Sequence, residues 1–461
     1  MILDLNDTDF SHYIERVRAL NEGKKRKIYI FTFGCQQNEA DSEKIQGMAE
    51  AMGYSYTDNH EDADLIILNT CAIRQHAEEK ALSMLGRFKA AKRRNPELIV
   101  GVCGCMAAEA HVTDLLKNDF HYVTFTLEPN MLYKMPMLVH RAIVDGKRSF
   151  ILGEDTGDIA EGMPAVRRSG HKAWVSIMYG CNNFCSYCIV PYVRGRERSR
   201  KSDDIINECR ELVNSGCKEI TLLGQNVNSY KGEYRFAQLL SKIAELDGDF
   251  IIRFMTSHPK DASDDLIQVM KRHTPKIAPY FHLPLQSGSN KILKAMNRTY
   301  TREAFLSTVD KLRQAVPDIC LSTDIIVGFP GEDEEDFLDT IDMLEKVRFD
   351  MVYAFKYSPR EGTPAAGMQN QIDTDTKEKR MDRLLRIQDA ISLERNRAYI
   401  GRTVRVLVDS TSHRPGFDTV SARTYTNKLV HFCTGEDKIG KFTHVKIDKV
   451  GAYDLIGTEV D

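Results

Sequence analysis

Three cysteines, Cys181, Cys185 and Cys188, stand within eight residues in the run Gly180-Cys181-Asn182-Asn183-Phe184-Cys185-Ser186-Tyr187-Cys188. Their spacing is C-x3-C-x2-C. Thiolates on so short a loop can ligate three irons of a [4Fe-4S] cluster and leave the fourth iron open. An open metal position is what a catalytic centre needs, because a substrate can bind there. A structural zinc site would want a fourth ligand, and no Cys or His follows at C-x2-C or H-x3-H spacing. The alternative, three incidental core thiols, fits the tightness of the group poorly.

A second set is spread along the first third of the chain. Apolar runs at residues 27–33, 64–68 and 98–102 end at Gly34-Cys35, Asn69-Thr70-Cys71 and Gly104-Cys105. Amphipathic helical stretches around 40–52 and 78–92 separate them. Strand–helix alternation implies a parallel sheet, in which the C-terminal strand ends share one edge. Cys35, Cys71 and Cys105 would then converge as a second three-cysteine site; buried thiols are the competing reading. Cys103 competes with Cys105, which is preferred because Gly104-Cys105 repeats Gly34-Cys35. Gln36, Gln37, Asn38 and Arg74 are too polar for a plain core.

The elements that must position the first loop follow a regular pattern. A strand-like run at 174–178 leads into it, and Gly180 lets the chain turn. Further runs at 219–223, 250–255, 279–285, 320–327 and 351–357 are each followed by a helical stretch. Such βα units predict a partial (β/α)6 barrel, with function at the C-terminal ends of its strands. Gln225, Asn226, Ser257, His258, Gln286 and Asp324 sit at those ends and are predicted to line a binding site. Val327-Gly328-Phe329-Pro330-Gly331-Glu332 lacks the Lys-Ser/Thr of a P-loop and the Rossmann spacing. Residues 374–398 read as one charged helix with an apolar stripe of Met381, Leu384, Leu385, Ala390 and Ile391, ended by Gly401. The alternating runs 403–408, 420–424, 429–432 and 443–447 predict a small OB-like β-barrel, a type that binds looped RNA. A helix around 9–20 precedes the first strand. Residues 143–166, with Gly153, Gly157, Gly162 and Pro164, read as a linker.

Composition narrows the class. The chain has 461 residues, 63 basic and 66 acidic, for a net charge of −3. That length predicts two or three domains, and that balance leaves nucleic-acid contact to local patches. The densest patch is Arg194, Arg196, Arg198, Arg200 and Lys201, directly after the cysteine loop, where it could guide a polyanion; pairing with Asp203 and Asp204 is the alternative. Arg423 and Lys428 are the RNA-contact candidates in the last barrel. Eleven cysteines without a signal peptide predict a reducing compartment and metal or catalytic thiols. No apolar run approaches transmembrane length. The expected location is cytoplasmic.

The cysteine loop, with Tyr187 just before Cys188, resembles the radical S-adenosylmethionine (SAM) enzymes. That resemblance implies that the open iron chelates SAM, that the cluster cleaves it to a 5′-deoxyadenosyl radical, and that Tyr187 packs near the adenine. The run Thr32-Phe33-Gly34-Cys35-Gln36-Gln37-Asn38-Glu39-Ala40-Asp41-Ser42-Glu43, with Asn69-Thr70-Cys71-Ala72-Ile73-Arg74 and Gly104-Cys105-Met106-Ala107, is similar to the methylthiotransferases. There Cys35, Cys71 and Cys105 would hold an auxiliary [4Fe-4S] cluster implicated in sulfur delivery. Ala108 departs from the family's usual Gln. Residues 423–432 resemble its TRAM domain, with Ala422 where Gly is typical.

Gly34-Cys35-Gln36, Ile177-Met178-Tyr179-Gly180-Cys181 and the TRAM segment together resemble the MiaB-type tRNA branch. The resemblance implies methylthiolation of C2 of N6-isopentenyladenosine 3′ of the anticodon, with SAM used both as methyl donor and as radical source. An unactivated aromatic C–H offers no acidic proton, so the cofactor must supply the reactivity. The alternatives are threonylcarbamoyladenosine in tRNA, a ribosomal-protein aspartate, which the C-terminal segment disfavours, and a non-catalytic iron–sulfur RNA-binding module. The expected organisation is an extension (1–26), a methylthiotransferase domain (27–142), a linker (143–166), a radical SAM core (167–398) and a TRAM domain (399–461). Expected partners are a tRNA anticodon stem-loop, a flavodoxin-type electron donor and iron–sulfur assembly or carrier proteins, acting with a monomer and no membrane.

Overall fold

The computed structural model describes residues 10–71, 75–151, 159–414 and 417–460. Ala72, Ile73 and Arg74 of the second cysteine segment, Gly153 and Gly157 of the expected linker, and residues 1–9 lie outside the described residues. The chain divides into two compact units: residues 1–168 with 179–182 and 188–198, and residues 169–178 with 183–187 and 199–461.

The first unit is built on a parallel sheet. Its strands run in the order Ser55–Tyr56, Lys27–Thr32, Leu65–Thr70, Ile99–Gly104, Phe125–Leu127 and Ser149–Phe150. The central strand Leu65–Thr70 is buried along its whole length, which is why its sequence is nearly continuous in apolar residues. Ile28, Leu65 and Ile67 pack on one face with Ile45 and Met48 of helix Gln36–Ala51; Ile66, Leu68 and Val100 pack on the other with Leu85 and Phe88 of helix Gln75–Arg94. Helices therefore cover both faces, as parallel sheets require. Helix Ser11–Asn21 forms where the N-terminal pattern predicts one. Strand Ser149–Phe150 corrects the expected linker: residues 143–150 finish helix Met135–Asp145 and supply the last strand of the sheet.

The second unit carries the six predicted βα strands in two three-stranded parallel sheets. One holds Lys172–Ser176, Glu219–Leu223 and Ile251–Phe254; the other holds Tyr280–His282, Cys320–Val327 and Met351–Lys356. A parallel bridge between Ile252 and Ile277 extends the first sheet toward the second. Alternate residues such as Val175, Ile220, Leu222, Phe281, Leu321 and Ile325 share one apolar core with Leu240, Leu266, Phe337 and Leu384 of the outer helices. The intervening residues, Arg253, His282, Asp324 and Tyr353, occupy the opposite face of the strands, where period-2 alternation puts them. Helix Thr374–Arg397 starts where the Asp373 carboxylate accepts from the Thr376 amide. Its buried apolar residues are Leu384 and Ile391; Leu385 and Ala390, expected in the stripe, are exposed.

The last strands close into a five-stranded barrel, Thr403–Arg414, Phe417–Thr424, Leu429–Phe432, Phe442–Val450 and Asp454–Val460. The fifth, Asp454–Val460, carries a short Leu-Ile-Gly run that the sequence pattern does not single out. This barrel is fastened to the βα part of the second unit by buried charge. Arg253 donates to Glu219 Oε2 at 2.7 Å and to the carbonyls of Thr424 and Tyr425 at 2.8 and 3.0 Å. Asp350 receives Lys428 Nζ at 2.9 Å, Arg395 Nε at 2.8 Å and the Leu321 amide at 2.9 Å. Burial works against the Asp350 charge, yet Lys428 and Arg395 hold its carboxyl below the usual carboxylate range. Lys428 is therefore an internal counter-ion and not the RNA contact expected of it. Removing one partner of such a set strands the others, at a cost of about 3–5 kcal/mol. Asp350→Ala should lose stability on that scale in denaturant unfolding, whereas Asp375→Ala, in an exposed i,i+4 pair with Lys379, should stay within about 0.5 kcal/mol of the parent.

Candidate active site

The first unit brings the N-terminal cysteines to one sheet edge. Thr32 pairs with Asn69, and Thr70 pairs with Gly104, so Cys35, Cys71 and Cys105 follow neighbouring strand ends. Two glycines make the approach close enough. A Cβ on Gly34 would lie 2.8 Å from the Cys71 Cβ, and one on Gly104 would lie 2.2 Å from the Thr70 carbonyl oxygen. Both have positive φ, +138° and +92°. Cys35 is the N-cap residue of helix Gln36–Ala51, and Cys105 opens the short turn Cys105–Ala108. Buried Asn38 ties the ends together: its Nδ2 donates to Phe33 O at 2.9 Å and Thr70 O at 2.8 Å.

The structure separates Cys103 from Cys105. Cys103 lies inside the strand and packs in the apolar core with Ile67, Phe125 and Leu127, and burial pushes its thiol far up. Cys105 lies past the strand and accepts a hydrogen bond from Arg194 Nε at 3.1 Å. Burial pushes the Cys105 thiol up as well, and the Arg194 guanidinium opposes that shift. Among the described residues no three His, Cys, Asp or Glu side chains converge as ligands of a single metal ion. A cluster needs no such convergence, because its thiolates attach to separate irons. A buried cation beside cysteine thiols also suits an anionic thiolate set.

Residues of the C-x3-C-x2-C loop belong to both units, and each part has its own contacts. In the first, Cys181 N donates to Gly195 O at 3.1 Å, and Gly180, at φ +76°, passes so close to the Arg196 carbonyl that a Cβ would lie 2.0 Å from its oxygen. In the second, Ser186 Oγ donates to Ala295 O at 2.8 Å, and Asn297 Nδ2 donates to Phe184 O at 2.9 Å. Tyr187 packs against Ile292, Met296, Phe329, Tyr357 and Ala365. Arg298, which the sequence did not single out, is buried and donates Nη1 to Cys185 Sγ at 3.4 Å and Nη2 to Pro284 O at 2.9 Å. An isolated arginine far along the chain carries no local signal of such a role.

The strand ends of the second unit gather the remaining candidates. Asn226 Nδ2 donates to Asp261 Oδ2 at 2.7 Å, while Asn226 Oδ1, Ser257 Oγ and Gln286 Oε1 are buried with no hydrogen-bond partner. Unsatisfied buried polar atoms are costly, and at strand ends they suit a polar ligand. Thr256 and Gln286 have φ of +66° and +68°, a strained backbone of the kind kept at functional sites. Gln225 is half-buried, and Asp324 lies 3.5 Å from His282 Nε2. His258 is buried, accepts the Lys260 amide on Nδ1, and stacks edge-on with Tyr300. Burial, and then Arg298, lower its pKa to about 2, so it is a neutral acceptor and not a proton shuttle. The segment Gly328–Glu332 is a structural lock: Glu332 Oε1 accepts Gly328 N and Arg380 Nη1, each at 2.8 Å.

The expected basic patch does not survive as one surface. Arg194 is buried against Cys105. Arg200 is buried as well, with Nη1 on Ser176 O at 2.7 Å and Glu208 Oε2 at 2.8 Å. Arg198 is half-buried on Asn130 Oδ1 at 2.7 Å; Arg196 and Lys201 are exposed. Arg423 is half-buried and donates to Asn427 O at 3.2 Å.

Three family descriptions match the chain: the radical SAM superfamily over residues 175–344, uncharacterized protein family UPF0004 over 27–127 and the TRAM domain over 397–460. Proteins of Thermoanaerobacter sp. (strain X514) and Alkaliphilus oremlandii, both named tRNA-2-methylthio-N(6)-dimethylallyladenosine synthase, are each 50% identical to it over 97% of this chain and 96% and 95% of their own. The chain belongs to this synthase family. Its cofactors are SAM and [4Fe-4S] clusters. Among solved structures, the radical SAM methyltransferase TsrM of Kitasatospora setae, with cobalamin and a [4Fe-4S] cluster bound, shares the fold at TM-score 0.55 and 13% identity, over 74% of each chain.

Two outcomes test the site assignments within the synthase family frame. Cys105→Ala should lose iron on reconstitution and Cys103→Ala should keep it, by iron and sulfide analysis. His258, with a folded pKa far below 6.5, contributes stability that is fully present above pH 6.5 and is lost as pH falls toward 2. Going from pH 7 to pH 5 should cost about 2 kcal/mol through this group, and the cost should vanish in His258→Gln.

Proposed function

We propose that this chain methylthiolates C2 of N6-isopentenyladenosine in tRNA, at the adenosine 3′ of the anticodon, giving 2-methylthio-N6-isopentenyladenosine. The observation that carries the reading is 50% identity, over 97% of the chain, to a synthase named for that nucleoside. The two cysteine sets support it. Cys181, Cys185 and Cys188 are assigned to a cluster that, with SAM, supplies the radical and the methyl group. Cys35, Cys71 and Cys105 are assigned to the auxiliary cluster that presents sulfur. This chain's own residues position the reactants: Asn226, Ser257 and Gln286 offer unsatisfied polar atoms to SAM. Tyr187, which precedes Cys188, is assigned to pack near the adenine of SAM.

The isopentenyl tail is apolar and asks for an apolar wall. Tyr353 and Phe355 lie on the strand face opposite to buried Val352 and are 42% and 36% exposed. They offer such a wall beside Asp324, whose register partner is Tyr353. A TRAM barrel supports tRNA as the partner, with Arg423, Arg196 and Lys201 as RNA contacts. The same reading calls for a flavodoxin-type electron donor and iron–sulfur carrier proteins, and for a monomer in the cytoplasm. No helix among the described residues is long and apolar enough to cross a membrane.

The experiment is a competition between isopentenylated, threonylcarbamoylated and unmodified anticodon stem-loops on the reconstituted enzyme, read by nucleoside mass spectrometry. The isopentenylated loop should gain the methylthio group at least tenfold faster than either competitor. Preference for the threonylcarbamoylated loop would move the chain to that branch. Equal turnover of the unmodified loop would show that the tail is not read.

A further inference from the structure

Arg194 is 4% exposed, and its guanidinium has three polar partners within the first unit. Nε donates to Cys105 Sγ at 3.1 Å, and Nη2 donates to Asn38 Oδ1 at 2.9 Å and to Asp41 Oδ2 at 3.3 Å. Its backbone is fixed too: Arg194 N donates to Val190 O at 2.8 Å, and Ile189 and Val193 of the same turn pack on Cys105. A buried guanidinium needs full compensation, since removing a charge from water costs several kcal/mol. One carboxylate, Asp41, meets one edge of the fork. The Nε edge faces sulfur, and a neutral thiol is a weak acceptor there. A thiolate bound to iron would complete the set.

We propose that Arg194 is a positioning residue for a cluster held by Cys35, Cys71 and Cys105. Its Nε–H holds the Cys105 thiolate in place, and its fixed charge raises the reduction potential of that cluster. The proposal rests on the ligand assignment made under the proposed function. The physical reason is sign. Reduction adds negative charge to the cluster, and a donor and a cation at a ligand sulfur stabilise the reduced form more than the oxidised one. Arginine suits the task better than lysine because one planar fork serves the sulfur, the amide oxygen and the carboxylate together.

The test uses the full chain with Cys181, Cys185 and Cys188 replaced by Ala, so that the remaining iron belongs to the N-terminal site. Midpoint potentials are read by EPR during titration with dithionite and redox mediators, alongside iron analysis. Arg194→Gln should keep its iron and shift the midpoint downward by a tenfold or larger change in the reduced-to-oxidised ratio, 59 mV for one electron. Arg194→Lys should fall between Arg194→Gln and the parent. Iron retained with an unchanged midpoint in Arg194→Gln would overturn the proposal alone. Absence of iron from the triple-cysteine background itself would overturn the ligand assignment, and this proposal with it. Should Arg194→Gln fail to hold iron, Asp41→Asn provides the same test with opposite sign. Its midpoint should rise, because the guanidinium loses its counter-charge, and no rise would overturn the proposal.

Discussion

Parallel pairing at van der Waals limit is the constraint on which the N-terminal site depends. Lys27–Thr32, Leu65–Thr70 and Ile99–Gly104 run side by side in register, so three chain segments leave the sheet at neighbouring points. The segments can only turn there if nothing projects between them. Gly34 and Gly104 leave that space, and Asn38 closes it with amide hydrogen bonds that no apolar residue could make. Three cysteines that are far apart in sequence thereby follow neighbouring ends of one sheet edge.

Much of this was legible in the residues. The apolar period gives the βα strands of the second unit, and a cysteine after each of three strands in chain order gives the N-terminal set without a local motif. The cysteine loop is local, so its spacing carries its chemistry. What stayed hidden is long-range or marginal. Strands such as Phe125–Leu127 and Ser149–Phe150 are too short to show a period, and they form because a neighbouring strand offers unpaired amides. Asp454–Val460 forms because a barrel must close.

Charge was the least legible property. A run of arginines reads as a solvated surface, phosphate-seeking or paired with nearby carboxylates, and composition offers no buried reading. Burial decides instead. Arg194, Arg200 and Lys428 each turn inward to a named anion or carbonyl, and Arg298, in no run at all, reaches Cys185. The sequence shows how many cations there are; only packing shows which of them face water.

The Asp350 cluster bears on how such chains can evolve. Lys428 comes from the small barrel, Arg395 from the long helix and Asp350 from the turn before the strand Met351–Lys356. A terminal RNA-binding domain is commonly regarded as an interchangeable cartridge, free to be exchanged between relatives by recombination at a linker. Here the crossover point has no neutral position. A donor barrel without a cation at 428 would leave the host carboxylate undercompensated, and a host without Asp350 would strand the donor's lysine. Exchange of this domain is therefore restricted to partners that already share the same buried charge, and the two parts should diverge together.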